Sequence, residues 1–339
     1  MTDGTYIGPG PVAQIPEDLV SSQELALLLW PDIDDYISGL QREIREVFLV
    51  GAGGSFLAMV PSQYLLDLRS SVPVHTYNSD EFYYRAPARV GEHSLVVVLS
   101  GTGNTPETIR AGRWAAEVGA AVLAVTLKAD GPLAKALPTS FVATTGQGSQ
   151  IVLQLIAMAI LKQQGFDTTL MHSALTATPK ALFDALASFE PEASRIAAAM
   201  KDVPVTNVLA SGPLQGAAET FTMCYLQEMQ WMHAATINAD EFFQGPFEVI
   251  DKDMKTIVFL GEDKTRPMGE RVRKFLETYS GETFYIDAAH FELPGLTEQE
   301  RSFALPLIFH ALVARLAAHY ASARGYTLEG RRYMWQVSY

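Results

Sequence analysis

"NSDEFYYRAP" (Asn78–Pro87) aligns with "NADEFFQGPF" (Asn238–Phe247) at an offset of 160 residues, keeping Asn, Asp, Glu and Phe in register. The same offset lays "FLVGAGGSFLA" from Phe48 on "VLASGPLQGAA" from Val208; both are short apolar runs that break at small residues before a helix-like stretch. It also lays "VVVLSGTGNT" from Val96 on "TIVFLGEDKT" from Thr256, preserving a glycine (Gly101, Gly261) and a threonine (Thr105, Thr265). Three matches at one offset predict a tandem duplication, and a repeat of this kind sets the architecture before any motif is read.

Within each half, β-branched runs such as "EVFLVGAG", "SLVVVLSG" and "AAVLAVTL" alternate with amphipathic stretches such as "PETIRAGRWAAEVG". That alternation means βαβ units around a parallel sheet, an α/β fold of the doubly wound, flavodoxin-like kind. The expected organisation is a first domain over residues 30–170, a second over 190–325 and a C-terminal tail over 326–339. Between the halves, the segment from Thr168 to Met200 reads as a linker that turns into a helix with Pro179 near its first turn. The tail, "GYTLEGRRYMWQVSY", is aromatic enough to predict packing onto the protein.

The chain has 339 residues, 48% of them hydrophobic and 19% charged, which suffices for two ordinary cores. Its opening carries no basic patch or apolar run, and no later run stays apolar for the roughly 20 residues of a membrane span, so a cytoplasmic protein is expected. A net charge of −13 without a Lys/Arg cluster argues against a nucleic-acid partner. One cysteine, Cys224, excludes a disulfide framework and a cysteine metal site; it reads as a small buried hydrophobe. No metal is expected.

"LSGTGNTPETI" (Leu99–Ile109) carries the chemistry. A strand end runs into Gly101 and Gly103, which admit a close ligand; Thr105 suits a helix N-cap and Pro106 the first helical position. The helix start offers N–H groups and a partial positive charge. Ser100, Thr102 and Thr105 add hydroxyls, and Ser55, after Gly53 and Gly54 of "GAGGS", adds another. These features describe a phosphate cradle without lysine. The second half has Leu260, Glu262 and Gln215 at the positions of Ser100, Thr102 and Ser55, so a carboxylate there would repel an anion and only the first half is expected to hold phosphate. No "GK[ST]" follows the glycines and "GAGGSF" is not a dinucleotide fingerprint, which leaves a small phosphorylated ligand.

At these residues the chain resembles the sugar isomerase (SIS) domain superfamily, whose phosphosugar loop reads Ser-x-Ser-Gly-x-Thr; here it is "SGTGNT", with Thr102 in place of the second serine. A double-SIS arrangement would span nearly the whole chain. "QEMQWMHAATINADEFFQGPFEVI" and "RRYMWQVSY" are similar to the deglycase branch, which includes the fructoselysine 6-phosphate and 6-phosphofructose-aspartate deglycases. The resemblance implies phosphosugar contacts from Gly53, Gly54, Ser55, Ser100, Gly101, Thr102, Asn104 and Thr105. It places the acid/base carboxylate on Glu228, whose neighbours are too apolar for a surface helix, so its pKa is expected to be raised. The usual histidine partner is replaced by Gln244, which can hydrogen-bond a sugar hydroxyl but cannot shuttle a proton. His233 is the candidate substitute. Glu81 and Glu241 occupy equivalent places and read as structural.

The implied activity is hydrolysis of a 6-phosphorylated ketoamine to glucose 6-phosphate and an amine, with no cofactor. Aldose–ketose isomerisation and non-catalytic phosphosugar sensing are the alternatives. The resemblance also implies a homodimer in which the "EFFQGPF" loop reaches the partner's site.

Overall fold

A computed structural model describes residues 6–338; Met1–Thr5 and Tyr339, which belong to the two ends read above, lie outside the described residues. The first sheet contains β1 (Glu46–Gly51), β2 (Val74–Asn78), β3 (Ser94–Ser100), β4 (Ala121–Thr126) and β5 (Ser140–Val142), all parallel, in the order β2-β1-β3-β4-β5. The second contains β6 (Thr206–Ala210), β7 (Ala234–Asn238), β8 (Thr256–Leu260) and β9 (Thr283–Asp287), again parallel, in the order β7-β6-β8-β9. The second order repeats the first without a fifth strand. The chain forms two compact units, one made of Glu17–Lys180 with Leu296–Leu307 and the other of the remaining described residues.

The strands read as continuous apolar runs because both faces of each sheet are covered. In β1, Val47 and Leu49 point into a core built with Ile151, Leu155 and Met158 of the Gly146–Gln163 helix, while Phe48 and Val50 join Ala111 and Ala115 of the Pro106–Glu117 helix. In the second sheet, Leu209, Val258 and Leu260 pack with Val272 and Leu276 of the Arg266–Tyr279 helix, and on the other face Phe259 meets Phe309 at 5.5 Å. Truncating a fully buried phenylalanine such as Phe259 to alanine costs about 3–5 kcal/mol.

Three local expectations are corrected. Thr169–Met200 is one unbroken helix of 32 residues, so there is no linker and Pro179 lies inside the helix. The division between units falls just after it, at Lys180, and just after Pro306 of the Glu298–Arg324 helix, at Leu307. A proline removes one helical hydrogen bond, and its cost is tolerated where packing on both sides holds the helix. The Glu298–Arg324 helix is also long and apolar enough by composition to cross a membrane; its apolar stretch is 78% buried inside the protein, as a core helix is. In the tail, the Tyr326 ring lies 5.7 Å from that of Trp231 and the Arg331 side chain is 9% exposed, while Tyr333, Trp335 and Val337 are exposed, so the aromatic residues nearest the C-terminus do not make the docking.

Candidate active site

In an open sheet of this order the ligand crevice lies at the carboxyl ends of the strands where the winding reverses, here between β1 and β3. The parallel register pairs Gly51 with Leu99, so the Gly53–Ser55 loop and the Ser100–Thr105 loop leave the sheet side by side. Ser100 is buried; its Oγ lies 2.8 Å from the Thr105 Oγ1 and 3.4 Å from the Thr102 Oγ1, and accepts the Gly103 N–H at 3.1 Å. Gly103 has φ +68°, and a side chain there would come within 2.9 Å of the Thr126 Oγ1, so the turn needs glycine. Thr105 holds the N-cap position of the Pro106–Glu117 helix, yet its side chain makes no cap bond; it turns to Ser100 instead. The helix start therefore keeps its N–H groups for another acceptor. Gly53, Gly54, Thr102 and Asn104 are exposed, and Ser55 and Gly101 are half-buried. Lys128, which the motif did not single out, follows β4 and lies beside Gly103.

The corresponding crevice of the second sheet, between β6 and β8, is filled by the protein itself. Asp263 accepts the Thr265 N–H at 2.8 Å and the Thr265 hydroxyl at 2.7 Å, and the Ser211 Oγ lies 2.9 Å from the Thr265 Oγ1. Arg266, in the first turn of the following helix, donates to the Gly261 carbonyl at 2.8 Å and bidentately to Asp287 at 2.8 Å each. The sequence pointed to Glu262 as the intruding carboxylate, but Glu262 is exposed and Asp263 takes that role. Burial pushes the Asp287 carboxyl up, but the Arg266 guanidinium and the Ala289 N–H outweigh it and hold it below the usual carboxylate range.

Glu228 ends a π-helical segment, Thr220–Gln227, that buries Phe221, Thr222 and Leu226. Its N–H donates to the Met223 carbonyl at 3.1 Å, and its side chain is 21% exposed. Withdrawal from water raises its pKa, opposed by the Arg331 guanidinium, whose Nε lies 2.6 Å from Oε1. The position at the carbonyl end of a helical segment disfavours the charged form further. Tyr225, one turn earlier, has its phenol pushed up to about 12 by burial. The segment ends at Gln227, so no helical turn connects Glu228 to His233, which is exposed and leads into β7 with its carbonyl accepting the Thr206 N–H.

Gln244 closes a short helical turn, Glu241–Gln244, after β7. Phe242 anchors that turn against Phe275, and Gly245 (φ +148°) ends it. Glu228 precedes the amino end of β7, where Gln227 donates to the Ala234 carbonyl at 2.7 Å, whereas Gln244 follows its carboxyl end. Within one chain the two are at opposite ends of a strand roughly 17 Å long. Glu81 pairs with Arg85 at 2.9 Å, as a structural residue would. Among the described residues no group of three His, Cys, Asp or Glu side chains is placed to hold a metal ion.

The chain is an open-sheet α/β protein with a hydroxyl-lined crevice at an uncapped helix start on a β2-β1-β3-β4-β5 sheet. Residues 42–163 match the SIS domain model. The chain is 34% identical over 309 residues to the fructosamine deglycase FrlB of Bacillus subtilis, covering 88% of this chain and 94% of the relative, and it belongs to the SIS-domain family. It is 25% identical over 255 residues to the fructoselysine 6-phosphate deglycase of Escherichia coli, covering 74% and 75% of the two chains. Among solved structures, one from Bacillus subtilis, provisionally assigned to the phosphosugar isomerases, superimposes with a TM-score of 0.86 at 30% identity, over 96% of this chain and all of that one. The C-terminal domain of the Francisella tularensis glucosamine-fructose-6-phosphate aminotransferase shares the fold, with a TM-score of 0.78 at 17% identity over 91% and 96% of the chains.

Proposed function

We propose that the protein is a deglycase that hydrolyses a 6-phosphorylated Amadori compound to glucose 6-phosphate and an amine or amino acid. The observation that carries this reading is the likeness, along 88% of the chain, to a fructosamine deglycase. The open first crevice agrees with it, since the substrate must present a phosphate. Ser55, Ser100, Thr102 and Thr105 offer hydroxyls to that phosphate, while Gly53, Gly54, Gly101 and Asn104 shape the loops and offer backbone donors.

Glu228 takes a proton from C1 of the ketoamine as O2 gains one from water, giving an enaminol, and returns its proton to C2, which leaves a protonated imine at C1. Water adds to that imine, and collapse of the adduct expels the amine and leaves the aldose. Each transfer needs a group that titrates, which Glu228 supplies and Gln244 does not. Gln244 hydrogen-bonds the sugar, and His233, facing solvent, has no part in proton transfer. The sequence of steps requires neither metal nor organic cofactor.

The two SIS domains span 30–170 and 190–325, and the working unit is a soluble, cytoplasmic homodimer. The separation of Gln244 from Glu228 within a chain supports the dimer, because a second copy can bring its own loop to the site. The test is a panel of synthetic phosphorylated Amadori compounds assayed for glucose 6-phosphate and free amine. Equal release of both is expected. Aldose–ketose interconversion without amine would establish the isomerase instead, and thermal stabilisation by sugar phosphate without turnover would establish a sensor.

A further inference from the structure

We propose that Arg331 is a positioning residue for Glu228: the C-terminal segment brings its guanidinium back onto that carboxylate, fixes the direction in which the carboxylate points and keeps it in the basic form before substrate arrives. The inference rests on the assignment of Glu228 as the proton carrier.

Arg331 is itself held. Its side chain is only 9% exposed, its Nη1 donates to the carbonyls of Leu328 at 3.0 Å and Gly330 at 2.9 Å, and the Trp335 ring lies 5.4 Å from its guanidinium. Arg332 lies 4.2 Å over the ring of Trp231, a residue with φ +53° in the turn that follows Glu228. Gln230 of the same turn donates to the Tyr326 carbonyl at 3.2 Å, and Arg324 donates to the Gln230 carbonyl at 3.2 Å. The turn carrying Glu228 is thus fastened to the C-terminal segment on both sides of the ion pair.

A carboxylate half-withdrawn from water at the carbonyl end of a helical segment would otherwise hold its proton or swing toward solvent. The charged and titratable groups facing it are Arg331 from the C-terminal segment and, from its own helical segment, the Tyr225 phenol with Cys224 beside it. Tyr225 is neutral at physiological pH, which leaves Arg331 as the counter-charge. The ion pair sets the guanidinium Nε 2.6 Å from Oε1 and so draws the carboxylate toward the C-terminal segment.

Two measurements on Arg331→Gln and Arg331→Lys test this. One is the pH dependence of kcat/KM with a phosphorylated Amadori substrate. The other is the carbon-13 titration of glutamate-labelled protein, with the Glu228 signal assigned by its loss in Glu228→Gln. Arg331→Gln should move both the acidic limb and the Glu228 midpoint upward by about one pH unit or more, and Arg331→Lys should recover most of that shift. Should Arg331→Gln not fold, Trp335→Ala, which frees the guanidinium, should move the midpoint in the same direction by less. An unmoved midpoint in a folded variant overturns the inference. Normal turnover in Glu228→Gln instead overturns the role of Glu228 and leaves the titration to be judged separately, so the two failures are distinguishable.

Discussion

The crevice between β1 and β3 and the crevice between β6 and β8 share strand order and a threonine before the helix, yet only one is open. In the first, glycine at position 103 leaves the helix start empty, and Ser100 and Thr105 hold each other's hydroxyls at its edge. In the second, Asp263 stands at the equivalent position and its carboxylate takes the Thr265 N–H and hydroxyl. Both crevices end on a helix start, whose N–H groups favour a negative charge. What differs is whether a side chain of the loop itself supplies that charge. One position, Gly103 or Asp263, decides whether the loop carries its own carboxylate over the helix start.

The largest expected effect tests whether chemistry accompanies the open crevice. Glu228→Gln preserves size and hydrogen bonding but removes titration, so turnover should fall by on the order of a thousandfold while substrate affinity stays within a few-fold. Steady-state kinetics with binding measured by calorimetry checks both numbers. Normal turnover would detach the proton transfer from Glu228 altogether.

Next, the open crevice can be given the charge of the closed one. Thr102→Glu copies the duplicate at an exposed position, so the fold should survive, while like charges should weaken phosphosugar binding by about a hundredfold. Unchanged affinity by calorimetry would show that the phosphate lies elsewhere.

Much of this comparison was legible in the sequence. The offset of 160 residues could be read because β1 and β6, and β2 and β7, begin at positions with that separation, and because Gly101 and Thr105 have their counterparts in Gly261 and Thr265. The open loop could be read because Ser, Thr, Gly and Pro each have a narrow conformational use at a strand-to-helix turn. Other features were not legible, for physical reasons. Glu262 and Asp263 are adjacent carboxylates, and only the loop's backbone path decides which one turns inward. Pro179 suits a helix start by local preference, but packing along 32 residues carried the helix past it. The pairing of Glu228 with Arg331 joins residues distant in the chain, and neither carries a local signal for the other.

The closed crevice should also depend on its Arg266–Asp287 ion pair. Asp287 is almost fully buried and bonded twice to Arg266, so Asp287→Asn should cost about 2 kcal/mol, seen as a melting temperature lower by several degrees near pH 7. Its carboxyl is held below the usual range, so its contribution is complete above pH about 4 and is lost as the pH falls through the lower folded value. The variant should therefore approach the parent in stability as the solution is acidified. A constant gap between the two across that range would mean that the lost packing, and not the charge, matters.

The smallest effect tests the comparison most directly. Asp263→Ala removes the side chain that occupies the second helix start and leaves the Thr265 N–H and hydroxyl without this acceptor. Two hydrogen bonds to a carboxylate in a half-exposed loop contribute about 1–2 kcal/mol, so the melting temperature should drop by a few degrees. Turnover should not change, since the proposed phosphate site lies in the first crevice. The vacated donors still sit at a helix start with Arg266 beside them, so millimolar sulfate should return part of the lost stability in Asp263→Ala and add little to the parent. If sulfate stabilises the parent and the variant equally, the rescue comes from general salt effects or from the open crevice. Asp263 would then be an ordinary turn residue, without the role of a built-in anion.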